Sequence, residues 1–320
     1  MPPSVFDSIL DNVHYTPPVD GAEIECDIAP KELPNGHMLY GYRIMKSIGA
    51  GGFGVTYLAE EKSLERRVVL KENFPSSLCN RESGTLDVVL CDPEHGEETF
   101  DFAHKSFMRE ARLLASLDHP NIAKVYSFFS AHRTSYYVTE YIDGKSLADV
   151  MYDYNKLKCP VPQDALLGVM IRVLDALDYL HQRNLLHRDI KPDNILINRA
   201  GLPMLIDFGA ARDEFGDADA NVIESKGYSP SEQNAADGNM GPWTDLYAFG
   251  ATLYYVMTGV CLPDCRNREI FDEAKPISEH PTLSKQFDIR ILKSIDRAIC
   301  PAIEDRYQSA ADWIADLDIG

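Results

Sequence analysis

The 320-residue sequence has no surplus of positive charge: 31 Lys and Arg stand against 50 Asp and Glu, a net charge of -19. That sign excludes a protein that coats nucleic acid or anionic lipid. The seven cysteines, Cys26, Cys79, Cys91, Cys159, Cys261, Cys265 and Cys300, include no Cys-x-x-Cys pair and no histidines at zinc-finger spacing. Reduced thiols in a cytoplasmic compartment are the expectation. The start, Met1-Pro2-Pro3-Ser4-Val5, lacks the basic and apolar regions of a secretory signal. The one long uncharged run, Leu246 to Leu262, has 17 residues and is broken by Gly250, Thr252, Thr258 and Gly259. It is short for a membrane span and reads as a buried helix. Repeats and low-complexity tracts are absent.

What is present is a globular composition, 45% hydrophobic and 25% charged. At about 150 residues per domain, the length allows one large domain or two lobes around a cleft. Six of the 19 prolines precede Gly36, so residues 1–38 read as an extended leader without a fold of its own. From Tyr40 to about Val89, β-type stretches at 42–48, 55–60 and 67–71 alternate with turns and predict an antiparallel sheet. Residues 79–92 suggest a hairpin around Glu82-Ser83-Gly84, followed by an acidic turn from Asp92 to Glu98. The spacing of Phe107, Met108, Ala111, Leu114 and Leu117 predicts one helix over 105–117. Strand candidates at 123–129 and 136–141 follow. After Asp143-Gly144 long helical stretches take over, at 163–182, 244–258, 288–300 and 310–317.

Gly49-Ala50-Gly51-Gly52-Phe53-Gly54 satisfies G-x-G-x-x-G. The β-type run Val55-Thr56-Tyr57 follows it, so the glycines join two strands and do not open a helix. A flap over phosphates fits, with glycines approaching the oxygens and adopting positive φ, and Phe53 at the tip. Alone, the spacing equally fits a plain hairpin. Lys71 ends the strand Val68-Val69-Leu70 and needs an anion. Glu110, central on the predicted helix, is the best carboxylate; alone, the two would read as surface charges.

The densest block is His187-Arg188-Asp189-Ile190-Lys191-Pro192-Asp193-Asn194, followed by Asp207-Phe208-Gly209. Here the sequence resembles the eukaryotic-type (Hanks-type) protein kinase family. With Lys71-Glu72-Asn73-Phe74-Pro75 and Gly241-Pro242-Trp243-Thr244-Asp245 it resembles a bacterial Ser/Thr branch. The resemblance implies an α+β, two-lobed fold over residues 39–317: a β-rich N-lobe, 39–142, with one main helix and an insertion at about 76–104, and an α-rich C-lobe, 143–317, before a tail at 318–320.

It further implies ATP and Mg²⁺ as cofactors and protein substrates with Ser or Thr acceptors, autophosphorylation included. Asp189 would accept the hydroxyl proton, Lys191 would steady the γ-phosphate, and Lys71 with Glu110 would orient the nucleotide. Asn194 and Asp207 would supply oxygens to the metal. Gly49, Ala50, Gly51, Gly52, Phe53, Gly54, Thr56, Val69, Lys71, Thr139, Glu140, Ile142 and Leu196 would surround the nucleotide. Thr139 is then the gatekeeper, Glu140-Tyr141-Ile142 the hinge, Val69 the roof over adenine and Leu196 its floor. Glu232 would pair with a buried Arg306, Asp245 would brace the catalytic loop, and Ser225 would touch Asp189 and Lys191.

The stretch from Phe208 to Glu224 contains no Ser, Thr or Tyr, although Arg188 is the residue that a phosphorylated loop usually engages. One of Asp213, Glu214, Asp217, Asp219 or Glu224 is the expected substitute; a merely solvated acidic loop is equally compatible. A small-molecule kinase of related fold is disfavoured by the Glu232 and Arg306 pair and by Gly227-Tyr228, which resemble a protein-substrate platform. The first competing class is a nucleotide-binding scaffold without turnover. Such proteins commonly lose the strand lysine or the catalytic or metal aspartate, and Lys71, Asp189 and Asp207 are all present.

Overall fold

The computed structural model describes residues 31–51, 54–157, 159–208, 212–213, 225–234 and 238–317. The chain divides into two compact units, a β-rich one up to Asp118 with Ala123–Ile142, and an α-rich one of His119–Ile122 and the residues from Asp143 on.

The β-rich unit contains strands β1 (Met38–Leu39), β2 (Tyr42–Ala50), β3 (Gly54–Glu61), β4 (Arg66–Asn73), β5 (Cys79–Arg81) and β6 (Val88–Leu90), helix α1 (Pro93–Ala115), and strands β7 (Val125–Ala131) and β8 (Thr134–Glu140). Six of them form one antiparallel sheet in the order β1-β2-β3-β4-β8-β7. Alternation along the strands sends Tyr57, Ala59, Val68, Leu70, Tyr136 and Val138 to one face, where all are buried. Leu33, Phe74, Cys79 and Val88 cover that face. Each such large apolar side chain contributes about 1.5–3 kcal/mol when removed from water. The β5–β6 hairpin predicted around Glu82-Ser83-Gly84 therefore forms part of the lobe's core.

Three details differ from the sequence expectation. Asp92 to Glu98 is helix, not an acidic turn: α1 starts twelve residues before Lys105. Asp92 caps it by accepting from the N–H groups of Glu94 and His95, Pro93 occupies the first turn, where its missing N–H costs nothing, and Glu94 faces the positive helix end. Of the expected insertion at 76–104, the last twelve residues are thus the first half of α1, and Phe100 there packs against the sheet's covered face. The final residues of the expected leader, 31–38, are built into the lobe: Leu33 is buried and its N–H donates to the Tyr57 hydroxyl at 3.0 Å.

Glu72 and Arg81 form an ion pair of 2.7 Å inside this core, with both side chains fully buried. The carboxylate also accepts from Tyr57 at 2.7 Å and Tyr136 at 2.5 Å, while the guanidinium donates to the carbonyls of Lys31 and Leu86. Burial, reinforced by the Glu72 charge, pushes both phenols far above their ordinary range. A buried charge is tolerated when its partners are this complete.

The α-rich unit holds β9 (Gly144–Ser146), α2 (Leu147–Leu157), α3 (Gln163–His181), β10 (Leu185–Leu186), β11 (Ile195–Asn198), β12 (Pro203–Leu205), β13 (Arg212–Asp213), α4 (Pro242–Thr258), α5 (Cys265–Ile270), α6 (Leu283–Gln286), α7 (Ile289–Ala298) and α8 (Ala310–Asp316). Its strands pair as β12-β11-β9 and β10-β13. Helix α4 is buried from Thr244 through Tyr254, which explains the uncharged run as a core helix. Among the described residues no helix is long and apolar enough to cross a membrane. Helix α2, outside the expected helical stretches, buries Leu147, Val150, Met151 and Tyr154.

Candidate active site

In the β-rich unit, strand register brings the predicted residues together. Thr56 lies opposite Lys71 across β3–β4, Lys71 opposite Tyr137 across β4–β8, and Val69 opposite Thr139. Period-two alternation puts all of them on the face turned away from the Tyr57 core. Lys71 Nζ lies 3.7 Å from Glu110 Oε1. The helix carboxylate and the strand lysine, 39 positions apart in sequence, therefore meet as an ion pair. Glu140 continues from β8, its N–H donating to the Lys124 carbonyl at 2.8 Å, and Ile142 is buried.

Gly49, Ala50, Gly51 and Gly54 frame the β2–β3 connection, which is closed by a Gly51 N–H donating to the Gly54 carbonyl at 2.9 Å. None of these glycines adopts the positive φ expected of them. Gly54 is required for another reason: a Cβ there would lie 2.3 Å from the Glu72 carbonyl on β4. Gly52 and Phe53 lie outside the described residues.

In the α-rich unit, the segment between β10 and β11 gathers donors on one carboxylate. Lys191 Nζ approaches Asp189 Oδ1 and Oδ2 at 3.0 and 2.8 Å, Ser225 Oγ donates to Oδ1 at 2.6 Å, and Asn194 Nδ2 donates to Oδ2 at 2.8 Å. Lys191 also reaches Ser225 Oγ at 3.3 Å. With its amide nitrogen spent on Asp189, Asn194 retains its oxygen as a hard donor. The exposed Asp207, held at φ 61°, supplies carboxylate oxygens of the same chemistry. Among the described residues no cluster of three His, Cys, Asp or Glu side chains forms a metal site by itself. Asn194 and Asp207 fit a hard cation completed by phosphate oxygens. Leu196 sits on β11 two residues beyond Asn194.

The segment is held from behind. The fully buried Asp245 of α4 accepts from the N–H groups of His187 and Arg188 at 2.9 and 2.8 Å, and from His181 at 2.9 Å. Burial alone would raise this carboxyl; the His181 hydrogen bond and the backbone donors outweigh it and hold it below the usual range. Gln233 Nε2 donates to the Arg188 carbonyl at 2.7 Å. The Arg188 backbone is thereby fixed at φ 65°, an uncommon conformation for a side-chain-bearing residue. Glu232 and Arg306 form a buried pair at 2.7 Å, with the guanidinium also donating to the carbonyls of Cys300 and Pro301. Gly227, at φ +82°, lets the segment after Ser225 pass close to Cys261 and Leu262.

His181, Gln233 and Tyr137 were not singled out from the sequence. They are ordinary helix and strand residues whose contacts arise only on folding. Of the acidic residues expected to answer Arg188, Asp213 has a described backbone in β13, and Glu214, Asp217, Asp219 and Glu224 lie outside the described residues.

The sequence matches the protein kinase domain over residues 42–309. Serine/threonine-protein kinase PknA of Nostoc sp. is 31% identical over 296 residues, which cover 87% of this chain and 47% of that protein. Serine/threonine-protein kinase C of Synechocystis sp. is 32% identical over 278 residues, 82% of this chain and 47% of that protein. The chain thus spans about half the length of the curated relatives it matches. Among solved structures, the apo form of PpkA-294 superposes with a TM-score of 0.79 at 33% identity, covering 90% of this chain and 100% of that one. The kinase domain of PknI from Mycobacterium tuberculosis, at 24% identity and a TM-score of 0.62, shares the fold.

Proposed function

The chain belongs to the protein kinase domain family, and from that premise we propose that it transfers the γ-phosphoryl of ATP to serine or threonine hydroxyls of proteins, itself included. The observation that carries this reading is the Asp189 carboxylate, ringed by Lys191, Asn194 and Ser225 and braced through Asp245. Phosphoryl transfer needs positioning, cationic groups and one proton acceptor, and little covalent chemistry.

In the reaction the acceptor hydroxyl oxygen forms a bond to the γ-phosphorus while the bond to the bridging β–γ oxygen breaks and ADP leaves. Asp189 takes the hydroxyl proton, a role worth about 10²- to 10⁴-fold. Lys191, already against that carboxylate, turns its ammonium to the γ-phosphoryl oxygens. Lys71, backed by Glu110, holds the other phosphates, while Val69, Leu196 and the Thr139–Ile142 stretch bind adenine. Mg²⁺, held by Asn194 and Asp207, would neutralise charge on the phosphate oxygens. The absence of hydroxyl residues from 208–224 supports an activation segment in which a carboxylate, not a phosphate, answers Arg188.

The test is the chemical identity of the acceptors. A generic basic protein incubated with the chain, ATP and Mg²⁺ should carry new phosphate on Ser and Thr when mapped by mass spectrometry. Phosphate confined to Tyr, or hydrolysis of ATP without any phosphoprotein, would refute the reading.

A further inference from the structure

Tyr137 lies inside the β-rich unit, fully buried, on the strand opposite Lys71. Its hydroxyl donates to Glu110 Oε1 at 2.5 Å. That is the same oxygen that faces the Lys71 ammonium at 3.7 Å, and the ammonium lies 5.6 Å from the centroid of the Tyr137 ring. Phe107, one turn before Glu110 on α1, packs its ring against Tyr137 with centroids 4.9 Å apart. One side chain thus touches the helix through an apolar contact and a hydrogen bond while lying beside the lysine.

We infer that Tyr137 is a positioning residue for phosphoryl transfer: it fixes the Glu110 carboxylate, and through it α1 and Lys71. This rests on the kinase reading above. The reason is a division of labour among donors. When nucleotide arrives, Lys71 must share its three N–H groups between Glu110 and phosphate oxygens, so its hold on the helix slackens. The phenol carries no charge and has no phosphate to serve. It keeps the carboxylate in place while the lysine engages the nucleotide. A hydrogen bond to a charged group is among the stronger single contacts available.

The experiment is a double-mutant cycle of Tyr137→Phe with Glu110→Ala, read by steady-state transfer from MgATP and, separately, by calorimetric affinity for MgADP. Phe keeps the ring against Phe107 and removes only the hydroxyl, and a thermal melt of each variant confirms folding. Tyr137→Phe should lower kcat/KM for ATP about ten-fold, the size of one lost hydrogen bond to a charged group. In the Glu110→Ala background, which removes the acceptor oxygen, it should add less than two-fold, because the residue acts through Glu110. A Tyr137→Phe enzyme within two-fold of wild type, or effects that multiply in full, would overturn the inference. Should Tyr137→Phe melt markedly early, Tyr137→Trp, with its ring N–H donor, must restore nucleotide affinity more than Tyr137→Leu does, and equal affinities would equally overturn it. Wild-type protein that binds MgADP without transferring phosphate would instead defeat the kinase reading, and the affinity cycle would then decide on Tyr137.

Discussion

Acid sensitivity is set by individual histidines. His187 is enclosed beside Asp189, its ring 4.4 Å from that of Phe208, and burial holds its proton affinity below the ordinary 6.5. His37 and His132, whose rings lie 5.1 Å apart in the other unit, are lowered by burial as well. In the unfolded chain each takes its proton near 6.5. Between that value and the lower folded one the unfolded chain binds more protons, so acid favours unfolding. Their contribution to stability is therefore complete above pH 6.5 and falls as pH drops below it. Denaturant midpoints measured from about pH 8 to about pH 5 should decline over the lower half. A flat or rising series there would contradict the buried, neutral state of these rings.

Among the elements, the β5–β6 hairpin changes most in meaning between sequence and structure. It carries Arg81 into the core beside Glu72, the residue after Lys71, and Val88 onto the sheet face. Arg81→Met should leave Glu72 as an uncompensated buried charge and lower unfolding free energy by about 3–5 kcal/mol. Arg43→Met, which breaks the exposed pair with Glu60, should leave the denaturation midpoint within error. Equal effects would show that Arg81 does not serve the core. Strands β2, β3, β4, β7 and β8 and helices α3, α4, α7 and α8 were legible because period-two and 3.6-residue patterns dominate them, whereas β1 fell at the end of the expected leader. Helix α2 falls outside the expected helical stretches, although Ser146 stands three residues before Asp149 and the apolar Leu147, Val150, Met151 and Tyr154 recur at i, i+3, i+4 and i+7. The early start of α1 was masked by its acids, which read as a turn although Asp92-Pro93-Glu94 is a helix start. The site was legible where it is written in one stretch, from His187 to Asn194. Contacts made across strands and helices, Tyr137 to Glu110 and His181 to Asp245, depend on register and packing and leave no local signal.

For the whole molecule, a net charge of -19 makes the kinase reading directional. A basic acceptor protein is drawn in by long-range attraction that salt screens within about 10 Å at 0.1 M. Raising salt from low ionic strength to about 0.3 M should raise KM for a basic acceptor several-fold, with KM for a neutral peptide nearly unchanged. Parallel changes for both would argue against steering by charge. The missing hydroxyls in 208–224 predict that phosphatase treatment leaves transfer at its full rate. Loss of transfer together with a phosphate on Ser225 or Tyr228 would contradict that. The central claim, that this chain moves a phosphoryl group with Asp189 as the proton acceptor, is tested most directly by γ-labelled ATP with Mg²⁺. Label transfer to the protein and to a generic basic protein is compared for wild type and Asp189→Asn. Transfer by wild type that falls at least about 10²-fold in the variant is the predicted result. Equal transfer by both, or none by either while nucleotide binds, would contradict it.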